Sequence, residues 1–167
     1  AYPGNRHHFT NQNTPDEVAE DQHRCYSGPV LNLVEAFEYK NNRNGEIRIQ
    51  DEKGNFIFYD KPEDAFANKD ARLWGTVIYP GTSFKGTSIT LQAGQKYMKD
   101  GKWENKLAKP GTVGEDGILI TAKNGPITSN ENYLNKTGFL IRKFLDEKDE
   151  SSTNAKGSDM WYPRFRM

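Results

Sequence analysis

Apolar positions along this chain come in short bursts separated by long polar stretches, and the bursts change period. Residues 1–13 are polar and loop-like. Thr14-Pro15-Asp16-Glu17 then carries the marks of a helix start, with a capping hydroxyl, a proline at the first helical position and an acid behind it. That helix is expected to run to about Arg24, before Ser27-Gly28-Pro29 breaks it. Val30, Leu31, Val34 and Phe37 recur at steps of mostly three and four, predicting a second helix over 30–40 that ends in Asn41-Asn42-Arg43-Asn44-Gly45.

The period then falls to two. Glu46–Gln50 and Asn55–Tyr59 alternate β-branched and aromatic residues with polar ones around Asp51-Glu52-Lys53-Gly54, which predicts a β-hairpin. Further strands are expected after Trp74, at Ser88–Gln92 and at Gly117–Thr121. The stretch between the last two holds Gly94, Gly101, Pro110, Gly111 and Gly114, and is expected to be mostly loop.

Composition narrows the class. The 167 residues suit one domain, but only 34% are hydrophobic, mean hydropathy is −0.91, and there are 15 Gly and 8 Pro. Such a chain buries a thin core. Lys plus Arg and Asp plus Glu both number 23, so no basic surface of the kind nucleic-acid binding requires is in evidence. Asp146–Glu150 is the densest charge run and reads as a solvated loop. Cys25 is alone, which excludes an internal disulfide, and the residues before it do not suit a lipidation junction. The sequence contains no signal peptide and no apolar run of membrane-spanning length.

Three stretches in order carry a family resemblance. The first is Asn32–Glu38. The second is Asn68, Asp70, Arg72, Thr76 and Gly81, with Lys69 and Ala71 where Arg and Pro are usual. The third is Thr137–Asp146 followed by Asp159–Met167. Together they resemble the C-terminal region of the SusD/RagB family, the nutrient-uptake lipoproteins of Bacteroidetes-type bacteria.

The resemblance implies a mainly α-helical parent with tetratricopeptide-like (TPR-like) helices. This chain is then a single loop-rich α+β fragment, residues 1–167, with two or three helices, a β-hairpin and short strands. Residues 1–29 form its loop and short helix, and 30–167 carry the resemblance. Any lipid anchor is expected upstream of Ala1, holding the parent at the outer membrane with its surface exposed. The implied activity is non-catalytic. The protein captures a polysaccharide or oligosaccharide and closes like a lid over a SusC-like TonB-dependent transporter. The runner-up readings are a stand-alone carbohydrate-binding module or adhesin domain, and a fragment of a secreted glycan hydrolase.

Sugar capture needs flat aromatic faces beside polar side chains that bond hydroxyls. Trp103 is the leading candidate, because it sits in a polar, turn-rich segment without an obvious core partner; Tyr97 and Asn105 are its candidate neighbours. Its replacement is expected to affect binding and spare stability. Trp74, Trp161 and Tyr162 read as packing residues. Asp70 and Arg72 read as a structural ion pair or turn cap, and Arg142 and Arg164 belong to the family motif as structural residues. No catalytic residue is assigned: P-loop, dinucleotide, nucleophile-elbow and zinc-hydrolase motifs are absent from the sequence. His7, His8 and His23 lack metal-ligand spacing, so no metal residue and no cofactor are assigned. The resemblance leaves room for a calcium ion without naming its ligands.

Overall fold

The computed structural model describes residues 13–18, 27–123, 136–145 and 147. Among these residues it is loop-rich, with two short α-helices, α1 (Leu31–Glu35) and α2 (Ala71–Thr76), and 3-10 turns at Asp16–Val18 and Pro62–Phe66. Among the described residues eight short strands form four antiparallel pairs. Strands β1 (Val77–Ile78) and β8 (Leu140–Ile141) pair across the chain. The other pairs are local: β2 (Ser83–Phe84) with β3 (Thr87–Ser88), β4 (Gln95–Lys99) with β5 (Lys102–Lys106), and β6 (Thr112–Val113) with β7 (Leu119–Thr121).

The first expected helix is a 3-10 turn over the part described. The Glu17 carboxylate accepts from the Thr90 amide at 3.4 Å. The helix expected over 30–40 is only Leu31–Glu35. It stops because the next backbone groups are taken by a distant segment. Asp70 N–H donates to Glu38 O and Lys40 N–H donates to Asn68 O, both at 2.8 Å. Those bonds are incompatible with continued helical pairing.

The hairpin expected over 46–59 is present as a tight turn with a narrow ladder. The Asp51 carboxylate accepts the Lys53 and Asn55 amides, each at 2.8 Å, and Gln50 bridges Phe56. Ser88–Gln92 is a strand only at its start, although Ile89 continues the pairing through Thr82 O at 2.9 Å. Thr76 lies in α2 rather than in the strand expected after Trp74, which is Val77–Ile78, because Asp70 caps that helix by accepting the Arg72 amide.

The β1–β8 ladder organises the core. Alternation along each strand sends Val77 and Phe139 to one side, with Val34, Phe66 and Leu73. Ile78 and Leu140 go to the other side, with Phe84, Ile89 and Leu91. Each fully buried aliphatic or aromatic side chain contributes about 1.5–3 kcal/mol. Residues from all three stretches of resemblance therefore meet: Val34 from the first, Val77 beside the second, and Phe139 from the third.

A second knot ties the first two stretches. Lys69 is buried, and its ammonium donates to Phe37 O at 2.9 Å and to Gly45 O, while lying 4.3 Å from the centre of the Tyr39 ring. Burial pushes its pKa down, and the nearby Glu35 carboxylate partly opposes that. The lysine that departs from the family pattern is thus a structural cation anchoring the 37–45 loop.

Candidate functional site

The longest ladder among the described residues is β4–β5, where loop was expected. Its tip explains it. Asp100 and Gly101 have φ of 49° and 74°, the pair of positive values that a two-residue hairpin turn needs. An Asp-Gly dipeptide between Met98-Lys99 and Lys102-Trp103 was the legible signal, and counting glycines as loop formers obscured it. At the base of the hairpin Gly94 lies so close to the facing strand that an added Cβ would fall 2.6 Å from Lys106 O.

Register decides what the hairpin presents. Met98 faces Trp103, Lys96 faces Asn105 and Tyr97 faces Glu104. Because side chains alternate, Lys96, Met98, Trp103 and Asn105 share one face, and Tyr97 and Glu104 lie on the reverse. The structure brings Trp103 and Asn105 together and sets Tyr97 apart. The Tyr97 hydroxyl donates to Glu104 at 2.7 Å, which raises its pKa, and Lys99 approaches the same carboxylate at 4.0 Å.

On its own face Trp103 has company that sequence reading missed. Its ring lies 5.4 Å from Phe58 in a tilted arrangement and 5.9 Å from Phe56, edge to face. Trp103 is 39% exposed and Phe58 70%. The indole therefore tethers the hairpin to the 49–59 segment while leaving part of its surface free, so its replacement is expected to touch stability as well as binding. The signal for Phe56 and Phe58 was their alternation in the first hairpin, which placed both on one side.

Beside this aromatic group opens a cleft of about 850 Å³, lined by Ile49, Phe56, Phe58, Gln95, Lys96 and Ile118 among others. Lys96 extends its ammonium to 5.0 Å from the Phe56 ring centre. The Gln92 and Gln95 side-chain amides are committed to structure, since both donate to Leu119 O. The Asn105 side chain makes no hydrogen bond among the described residues, and the residue is exposed.

The motif residues serve the frame. Arg72 grips both Asp70 carboxylate oxygens through Nε at 2.9–3.0 Å and through its terminal nitrogen at 2.5 Å. That grip, with the capping bond to the Arg72 amide, pulls the Asp70 pKa down to about 2. Arg142 is buried. It donates to Ser83 O at 3.0 Å, pairs with Glu147, and stacks on the Trp74 ring. Arg164, Trp161, Tyr162, Cys25 and the three histidines lie outside the described residues. Among the described residues no three His, Cys, Asp or Glu side chains converge as a metal ion needs, so no calcium ligand set is assigned. No described helix is long and apolar enough to cross a membrane.

No curated protein and no solved structure matches the chain. A family model does, and it spans residues 3–167, taking in all three stretches of resemblance and the residues that join them in the core. On that match the chain belongs to the SusD family.

Proposed function

We propose that this protein is a cell-surface glycan-binding component of a TonB-dependent uptake system, which captures a polysaccharide or oligosaccharide without breaking a bond. The observation that carries this reading is membership of the SusD family over nearly the whole chain. Such a role has a plain physical basis. A pyranose offers a C–H face to an aromatic ring and a rim of hydroxyls to amides and charged groups. Trp103, with Phe58 beside it and Asn105 on the same face, offers both. Tyr97 is assigned no sugar contact, because it faces Glu104 on the reverse of the ladder.

In the same reading, residues 1–167 are the C-terminal region of a longer protein with TPR-like helices. An upstream lipid anchor holds it at the bacterial outer membrane, and a SusC-like transporter receives the sugar. Several large apolar side chains outside the cleft, among them Leu31, Leu33, Leu107 and Val113, are exposed and suit contact with such partners.

A glycan panel titrated against the protein tests the reading. Binding to at least one glycan is expected, with no release of reducing ends. Trp103→Ala is expected to weaken that binding about tenfold, the scale of a 1.4 kcal/mol contact. Product formation would overturn the passive role. Unchanged affinity in Trp103→Ala would remove this surface from the site.

A further inference from the structure

We propose that the Trp103 face selects an anionic sugar, one bearing a carboxylate or a sulfate. This rests on the glycan-binding reading and narrows its substrate class. The β4–β5 hairpin carries Lys96, Lys99, Lys102 and Lys106 against Asp100 and Glu104, within a chain whose formal net charge is zero. The local excess of positive charge is therefore a property of this hairpin and not of the protein.

The arrangement of those charges points the same way. Glu104 is occupied by the Tyr97 hydroxyl and Lys99 on the reverse face. Lys96 has no carboxylate within ion-pair distance among the described residues. It is also the cation that shares a face with Trp103 and Asn105. It reaches the cleft beside Phe56 and Phe58. Asp116 is the acid lining the same cleft, and one of its oxygens accepts the Ile118 amide at 3.0 Å. Lys102 and Lys106 lie on the reverse of the ladder and add to the field.

A sugar ring lying on Trp103 and Phe58 would thus meet an unpaired ammonium at one side and a free carboxamide at another. A neutral hexose uses the carboxamide and the rings but leaves the ammonium without a counter-charge. An anionic sugar uses all of them. Since one partner stays partly solvated, the gain is modest and salt-sensitive.

The test is calorimetric titration of the full chain with three probes: an oligogalacturonate, a sulfated galactan oligosaccharide and a neutral galactan oligosaccharide. At low ionic strength either anionic probe is expected to bind at least about fivefold more tightly than the neutral one. The difference should shrink in 0.5 M salt, on the order expected for a screened pair. Lys96→Gln is expected to remove most of that preference, lowering the anionic-probe affinity by more than the neutral-probe affinity. Which anionic probe binds more tightly distinguishes carboxylate from sulfate. Equal binding of the neutral probe, or an anionic preference untouched by Lys96→Gln, would overturn the proposal while leaving glycan capture standing. Binding of neutral glycans alone from a wider panel would do the same. Failure of every glycan to bind would overturn both readings.

Discussion

The guanidinium carbon of Arg142 lies 3.7 Å from the centre of the Trp74 ring. Trp74 stands on α2 and is 52% exposed, whereas Arg142 follows β8 and is buried. The indole therefore covers the arginine from the solvent side, and Ser83 O and Glu147 satisfy the guanidinium elsewhere. The contact lies next to the backbone seam where the Arg142 and Lys143 amides both donate to Thr76 O, at 2.9 and 3.1 Å.

Breaking this arrangement from its two ends should have unequal effects. Arg142→Met leaves Ser83 O and the Glu147 carboxylate without their cation, and is expected to cost about 3 kcal/mol. Trp74→Ala removes a partly exposed cation–π contact and should cost about 1 kcal/mol. Urea denaturation of the two variants measures the difference; equal losses would contradict the geometry.

Gly45 is held by contact and not by backbone angle. A Cβ there would sit 2.0 Å from Glu35 O and 2.5 Å from Phe37 O. Gly45→Ala is expected to destabilise by about 2 kcal/mol or more, since backbone must move. Lys69→Met, which strips the ammonium from Phe37 O and Gly45 O, should loosen the same loop. Hydrogen exchange at the Lys40 and Asp70 amides, which tie 38–40 to 68–70, would report both losses; unchanged protection would refute the knot.

Asn68 has a φ of 64°. Asparagine tolerates this left-handed region, and a β-branched residue does not. Asn68→Gly should change stability by only about 0.5 kcal/mol, while Asn68→Val should cost about 1–3 kcal/mol. Thermal melts of the pair decide it, and equivalent melting temperatures would count against a conformational role.

Acid should act on α2 through Asp70. Its folded pKa, about 2, lies below the ordinary carboxylate value because Arg72 bonds the charged form. A depressed carboxylate contributes stability above its unfolded pKa of about 4, and that contribution is lost as pH falls toward about 2. The difference in stability between the native protein and Asp70→Asn is therefore expected to be constant from neutral pH down to about 4 and to shrink below it. A difference that grows on acidification would refute the sign.

Tyr97 offers a control for the binding face. Tyr97→Phe deletes only the hydroxyl that donates to Glu104 on the reverse of the ladder. Glycan affinity should be unchanged within a factor of about two, against the roughly tenfold loss expected for Trp103→Ala. Equal losses from the two would place the sugar on both faces.

Much of the local structure was legible in the residues. The Asp51–Gly54 turn, the capping role of Asp70, its pairing with Arg72 and the family itself are all readable from short-range chemistry. Each depends on neighbours within a few positions. The β4–β5 hairpin was equally legible through Asp100-Gly101, but five glycine and proline positions between 93 and 116 argued for loop and outweighed it. The long second helix failed for a different reason. Its apolar spacing is sound, yet residues 38–40 find better backbone partners at 68–70, and nothing within a local window shows that.

By itself, then, the sequence determined the Asp51–Gly54 turn, the local pairing of Asp70 with Arg72, and membership of the SusD family, because these depend on local φ preference, short hydrogen bonds and motif order. Only the tertiary structure decided which side chains act together. Strand register put Trp103 and Asn105 on one face and Tyr97 on the other, since a shift of a single residue exchanges the faces. Long-range packing seated Lys69 among the carbonyls of Phe37 and Gly45 and laid Arg142 on Trp74. Those partners are separated by 24 to 68 positions, a distance over which no local preference carries information.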